Sequence, residues 1–141
     1  MWNSSFAKRR IFRSPLEGLL PEGLENALAV QALFPLARDD EMLGLPSDRS
    51  PESILAKHAN LKNEIAVGVK DLKGPEKISM VHSLIIDRLL GLKTNKLENW
   101  QIEYRHLFQN AYPNRPVENF SIVELGNAIA HFEEIAFATR N

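Results

Sequence analysis

The apolar residues of this 141-residue chain recur mainly at helical spacing, and no stretch alternates apolar and polar residues over the length of a strand. Spacings of three and four residues place side chains on one face of an α-helix, whereas a half-buried strand requires a period of two. The chain is also long enough to bury a sizeable core. The sequence therefore predicts an all-α fold of about five helices in a single domain, residues 1–141, with residues 1–20 irregular.

The first two predicted helices are delimited by proline, serine and glycine. The first runs from about Pro21 to Phe34, because proline is well tolerated in the first turn of a helix. One face of this helix would hold Leu24, Ala27, Leu28, Gln31 and Ala32. A loop follows, and Ser50 and Pro51 then provide the cap and the first turn of a second helix. Its apolar stripe would consist of Ile54, His58, Leu61 and Ile65, and the sequence Lys73-Gly74-Pro75 would end it.

The other three predicted helices have stronger boundary signals. The third carries an apolar stripe and ends near Gly91, and the fourth stops before Pro113. The third stripe consists of Ile78, Val81, Ile85, Leu89 and Leu92, and the fourth helix contains Trp100, Tyr104, Leu107, Phe108 and Ala111. Ser121 and Glu124 have the spacing of a capping box, in which the two side chains satisfy N–H groups of the first turn. The fifth helix therefore begins there, with inward-facing residues Ile122, Leu125, Ile129, Phe132 and Ala136.

Composition and charge exclude several classes of function. The chain has no cysteine, which excludes disulfides, thiolate metal sites, cysteine nucleophiles and the C-x-x-C-H attachment motif of c-type heme. The net charge of −1 gives no long-range attraction to nucleic acid or to an anionic membrane. No apolar run is long enough for a membrane span, and the N-terminus lacks a secretory signal. We therefore expect no nucleic-acid partner, no membrane span and a cytoplasmic location if the chain is expressed as written.

The four histidines do not form a recognisable metal site. They are His58, His82, His106 and His131. No two of them have the i, i+4 spacing of a helical metal pair, and none lies in an H-E-x-x-H motif. His58 and His131 lie on or beside apolar stripes and are expected in the core, whereas His106 is expected at the surface. The sequence predicts no metal-binding residues.

Three blocks of sequence carry a family resemblance. The first comprises FRSP at residues 12–15, LPEGLENALAVQALFP at 20–35 and DEMLG at 40–44. The second is EYRHLFQNAYP at 103–113, and the third is AIAHFE at 128–133. In this order the blocks resemble the di-heme cytochrome c peroxidases, including the branch that contains the methylamine-utilisation heme proteins.

The resemblance implies a fold, an activity and three site residues. The blocks match the peroxidatic cytochrome-c-like domain of an exported, periplasmic enzyme. That enzyme reduces hydrogen peroxide to water with electrons from a small cytochrome or copper protein, and heme c is its cofactor. Gln31, Pro35 and Glu41 match family positions that line the peroxide pocket, with Gln31 near the end of the first helix and Glu41 on the following loop. There a carboxylate relays a proton as general base and then general acid, an amide orients the peroxide, and a proline stiffens the loop.

The chain departs from the family pattern because both C-x-x-C-H motifs and the second heme domain are missing. This chain therefore binds no heme covalently, and we expect a truncated or split peroxidase that is inactive alone. Its partner would be the missing heme-bearing portion, and the apolar side chains that normally pack on that portion would be exposed. The candidates are Leu28, Leu33, Phe34 and Met42. The alternative is an orphaned helical protein-interaction domain without catalysis.

Overall fold

The computed structural model of the chain describes residues 19–38, 41–43 and 63–138. These residues contain five α-helices, two short 3-10 turns and no strand, which confirms the predicted all-α class. The helices are α1 (Ala27–Leu33), α2 (Glu64–Gly68), α3 (Gly74–Leu90), α4 (Asn99–Ala111) and α5 (Ile122–Ala136), and the 3-10 turns are Pro35–Ala37 and Val117–Asn119. Within the described ranges, no helix combines the length and the apolar character needed to cross a membrane.

Three helix ends lie where the sequence places them. Ser121 caps α5: its side chain accepts a hydrogen bond from the Val123 N–H, and Glu124 reciprocates on the Ser121 N–H. Gly91 ends α3 in the left-handed conformation at φ 61°, where a residue without Cβ avoids steric cost. Helix α4 ends at Ala111, ahead of Pro113.

Helix α1 begins later than predicted, at Ala27 instead of near Pro21. Asn26 is its N-cap, and the Asn26 side chain accepts a hydrogen bond of 2.9 Å from the Ala29 N–H. Asparagine is among the best N-cap residues because its side-chain oxygen satisfies an N–H group of the first turn. The prediction at Pro21 was therefore wrong, and the local signal that sets the boundary is the asparagine.

The backbone ahead of α1 is held by a residue more than one hundred positions away. The Asn127 side chain accepts a 3.0 Å hydrogen bond from the Glu25 N–H and donates a 3.1 Å hydrogen bond to the Gly23 carbonyl. Asn127 lies on α5 and is itself buried. Residues 23–25 thus satisfy their backbone groups through a side chain of α5 and not through an additional helical turn.

Helix α1 also buries a different face from the predicted one. Its buried residues are Ala29, Val30 and Leu33, whereas Gln31 is exposed. The cause is α5, against which α1 mainly packs. At the crossing, a Cβ on Gly126 would lie 3.2 Å from the Ala29 carbonyl oxygen, so glycine permits this close approach.

The second predicted helix is interrupted at Asn63, which has an extended backbone (φ −101°, ψ 102°). Asn63 caps the short helix α2 by accepting hydrogen bonds from the Ile65 and Ala66 N–H groups. The expected stripe through Leu61 and Ile65 therefore does not continue as one helix. The predicted start at Ser50, and the expected core position of His58, lie outside the described residues.

Two apolar clusters form the core, and α3 contributes to both. The larger cluster consists of Leu33, Ile86, Leu90, Phe108, Phe120 and Ile122. The smaller cluster consists of Leu43, Ile65, Ala66, Val69 and Val81. Because α3 lies in both clusters, it connects the α2 region to the helices α1, α4 and α5.

Several predicted inward and outward positions are wrong. On α5, His131, Phe132 and Ala136 are exposed, and the Phe132 side chain keeps 66% of its surface accessible. Packing on α1 uses the neighbouring face of α5, which carries Gly126, Asn127 and Ala130. Conversely, the side chains expected to be exposed are not: Leu33 is buried, and Leu28, Phe34 and Met42 are half-buried. His106 is exposed, as predicted.

Candidate functional site

The three residues implied by the family resemblance lie along one short segment. Gln31 is on the last turn of α1, Pro35 opens the following 3-10 turn, and Glu41 lies in the next turn. All three are exposed. The order along the segment agrees with the expectation that Gln31 is near the end of the first helix and Glu41 on the following loop.

Consecutive backbone hydrogen bonds shape this segment. The Phe34 N–H donates to the Gln31 carbonyl at 3.2 Å, and the Arg38 N–H donates to the Pro35 carbonyl at 3.3 Å. The Arg38 carbonyl in turn accepts from the Met42 N–H at 3.1 Å. The described residues on both sides of positions 39–40 are therefore shaped by hydrogen bonds between near neighbours.

The C-terminal side of the Glu41 turn is fixed to the rest of the fold. Leu43 is fully buried in the smaller apolar cluster. The Met42 carbonyl accepts a 3.0 Å hydrogen bond from the Asn63 side chain, which also caps α2. Glu41 is therefore an exposed carboxylate on a turn that is anchored within two residues.

The Glu41 carboxylate has one described ionic partner, Arg38. The Arg38 Nε lies 2.9 Å from Glu41 Oε1, and the two side chains are 58% and 48% exposed. An exposed ion pair of this kind contributes only ~0–1 kcal/mol, because water screens it and both side chains lose freedom. Glu41 can therefore separate from Arg38 at little cost in free energy.

The chain has no residue that could attach heme covalently, and its described part forms no metal site. No cysteine is available for thioether bonds. Among residues 19–38, 41–43 and 63–138, no three His, Asp or Glu side chains come together in an arrangement that could hold a metal ion. A covalently attached heme that works with Gln31, Pro35 and Glu41 would need cysteines from a separate segment.

A cavity that the sequence did not predict lies between α3 and the segment 118–122. Its volume is about 380 Å³. The side of α3 that faces it carries His82, Ser83 and Asp87, and Glu118 and Phe120 line the opposite side. The cavity is separate from the Gln31–Glu41 segment, no residue of which lines it.

His82 is the most unusual residue of this cavity. It is only 8% exposed, and its Nε2 atom is buried without a hydrogen-bond partner among the residues that the structure describes. Burial lowers the pKa of His82 below its ordinary value of 6.5, because a charged imidazole would lose hydration there. Sequence reasoning had one usable signal: His82 precedes Ile86 by four residues and so shares the buried side of α3 with it.

Comparison with known proteins adds no functional information, since no protein-family model, curated protein or solved structure matches this chain.

Proposed function

We propose that this chain is the heme-lacking part of a di-heme cytochrome c peroxidase. It would contribute Gln31, Pro35 and Glu41 to the peroxide pocket, while a separate heme-bearing segment would carry the cofactor. The assembled periplasmic enzyme would reduce hydrogen peroxide to water with electrons from a small cytochrome or copper protein. By itself the chain would be inactive, because it has no cysteine with which to attach heme.

The observation that carries this proposal is that the described parts of the three resembling blocks pack into one structural unit. The first block includes α1, which packs against α5, and α5 contains the third block. The second block ends with Phe108 and Tyr112 near the Phe120 ring, at centroid distances of 5.2 and 5.7 Å. Phe120 and Leu33 of α1 belong to the same apolar cluster. Segments separated by up to about one hundred residues thus form one core, as parts of a common domain would.

The position of Glu41 suits a group that acts on a substrate held by another segment. Its carboxylate is exposed, its turn is anchored by Leu43, and its pairing with Arg38 is weak. Either carboxylate oxygen can accept a proton from a peroxide oxygen and return it to the departing oxygen. General acid–base transfer of this type typically contributes ~10²–10⁴-fold in rate. Gln31 would orient the peroxide through its amide, and Pro35 would restrict the backbone between them.

The test is a chimera in which an upstream C-x-x-C-H segment of the family precedes this chain and is loaded with heme. The measurement is the oxidation of a reduced electron donor by peroxide. We expect Glu41→Gln to lower turnover by at least ~10²-fold, because the amide keeps the shape of the side chain but cannot accept the proton. Thermal melting should change little, since Glu41 is exposed.

Glu64→Gln is the matched control. Glu64 lies on α2 and pairs with Arg88 at 3.1 Å, with 61% of its side chain exposed, so it loses the same kind of ion pair as Glu41. The control should retain full turnover. Small and equal effects of the two substitutions would contradict the proposed role of Glu41.

The alternative function, a helical protein-interaction domain without catalysis, is favoured by a different observation. Large apolar side chains are exposed on α4 and α5: Trp100, Tyr104, Leu107, Phe132 and Ile135. Exposed apolar surface of this kind often marks a contact site for another protein, and on α4 the rings of Trp100 and Tyr104 are in contact, with centroids 6.3 Å apart. A chimera that attaches heme and folds, yet reduces no peroxide, would support this alternative over the peroxidase proposal.

A further inference from the structure

We propose that His82 makes this fold acid-sensitive, so that protonation of its imidazole loosens the packing of α3 against the segment 118–122. The inference is independent of the peroxidase proposal, since it concerns a different part of the molecule.

The geometry around His82 leaves a protonated ring without compensation. The residue is 8% exposed, and its Nε2 is buried with no hydrogen-bond acceptor. One helical turn further on, Ile86 packs in the larger cluster with Phe120 and Ile122. A charge introduced at the edge of this cluster would have neither full hydration nor a partner, and such burial is strongly unfavourable.

Two carboxylates, those of Asp87 and Glu118, line the cavity together with His82, and neither is hydrogen-bonded to its Nε2 atom. Asp87 already accepts a 2.7 Å hydrogen bond from the Lys93 N–H and forms an ion pair with the Lys93 ammonium group at 3.9 Å. Glu118 lies across the cavity. Several charged groups on the elements packed against α3 already have partners: Glu64 pairs with Arg88 of α3, Arg38 with Glu41 and Glu124 with Arg115, and Arg105 donates to the Leu90 and Gly91 carbonyls. The remaining acidic residues and histidines of α4 and α5 are exposed or half-buried: Glu103, His106, His131, Glu133 and Glu134, and Glu98 is exposed ahead of α4. Burial is the cause that lowers the pKa of His82.

The direction of the pH effect follows from linkage. The pKa of His82 is lower in the folded chain than its ordinary value of 6.5, so the unfolded chain binds the proton first as the pH falls. The contribution of neutral His82 to stability is therefore complete above about pH 6.5 and is lost as the pH falls below that value toward the folded pKa.

The first experiment is an NMR titration of the histidine rings in the full chain between about pH 8 and pH 5. We expect the His82 ring to titrate at lower pH than a histidine in an unfolded chain. Resonances of Ile86, Phe120 and Ile122 should shift with the same midpoint, while those of Leu43 in the smaller cluster should stay unchanged. A His82 midpoint at or above the ordinary value would overturn the proposal. Simultaneous loss of both clusters would also overturn it, because the loosening would then not be local.

The second experiment compares thermal melting over the same pH range for the wild type, His82→Gln and His106→Gln. His106 is an exposed histidine on α4 and is the matched control. We expect the Tm of the wild type and of His106→Gln to fall by several degrees with acid, and that of His82→Gln to fall by less than half as much. An undiminished fall in His82→Gln would refute the proposal. Should that variant not fold, the titration of the wild type decides the question.

Discussion

Replacing the buried Glu124 with alanine should destabilise the fold more than the loss of any other charged side chain discussed above. Glu124 is 6% exposed at the first turn of α5. Its Oε2 accepts hydrogen bonds from the Ser121 N–H and the Ser121 hydroxyl, both at 2.8 Å. Its Oε1 accepts a hydrogen bond from the Arg115 guanidinium, which also lies over the Tyr112 ring at 5.8 Å. One carboxylate therefore connects the loop after α4 to the start of α5.

The expected cost of Glu124→Ala is ~1.5–3 kcal/mol of unfolding free energy. Loss of an N-terminal cap costs ~0.5–2 kcal/mol, and hydrogen bonds to charged groups are worth ~1.5–3 kcal/mol each. These contributions do not add in full. Ser121 is exposed, so water can replace part of the hydrogen bonding that it loses when the Glu124 carboxylate is removed. The Arg115 side chain is 43% exposed, so its ion pair adds at most ~1 kcal/mol.

The assay is urea unfolding at neutral pH followed by far-UV circular dichroism. Glu76→Ala is the matched control, because Glu76 occupies the same third position of α3 but has no reciprocal cap there. The control should lose only the helix-dipole contribution of ~0.3–1 kcal/mol. Glu124→Gln should lie between the wild type and Glu124→Ala, since glutamine can still complete a capping box.

The same carboxylate predicts a pH dependence. Burial would raise the pKa of Glu124, but the hydrogen bonds from Ser121 and its own backbone N–H and the charge of Arg115 outweigh burial and lower the pKa below the ordinary 4.5. This stabilisation is complete above about pH 4.5 and is lost as the pH falls through and below that value. The stability gap between wild type and Glu124→Gln should narrow there. A Glu124→Ala cost no larger than that of Glu76→Ala would show that these bonds do not hold α5.

Two further substitutions test the packing around the site. Leu43→Ala removes a fully buried side chain that anchors the Glu41 turn and should cost ~2–5 kcal/mol in urea unfolding; a cost below ~1 kcal/mol would mean that this anchor is dispensable. Gly91→Ala places a Cβ on a left-handed backbone, only 2.5 Å from the Leu97 side chain. Thermal melting should therefore show a decrease of ~2–4 kcal/mol in the free energy of unfolding. An unchanged Tm for Gly91→Ala would contradict the role given to this glycine.

The features that the sequence predicted correctly are those whose causes are local. The all-α class follows from the spacing of apolar residues along the chain, and the structure has no strand among the described residues. Ser121 and Glu124 satisfy N–H groups within a few residues, so their spacing alone identifies the start of α5. Gly91 acts through the left-handed conformation that glycine adopts without steric cost, and Pro113 acts through its fixed φ and missing N–H, so the ends of α3 and α4 follow from local signals.

The errors occur where a partner distant in sequence sets the outcome. Asn26 is the local N-cap of α1, but the non-helical backbone of residues 23–25 ahead of it is held by Asn127 of α5, and nothing near Pro21 indicates this. Phe132 is exposed because α1 packs on the neighbouring face of α5, and so leaves the face that carries Phe132 uncovered. Both faces of α5 contain apolar residues, so periodicity alone does not distinguish the one that is buried.

The candidate sites divide in the same way. The order of Gln31, Pro35 and Glu41 along a helix end and a loop could be predicted from local signals, because that segment is shaped by bonds between near neighbours. The exposure of Glu41 and its pairing with Arg38 depend on how the turn is anchored through Leu43 and Asn63. The cavity beside His82 likewise depends on the segment 118–122, which lies next to α3 only in the tertiary structure. Sequence periodicity determines which side chains share a face of a helix. Only the packing of distant segments determines which of those faces is buried away from water.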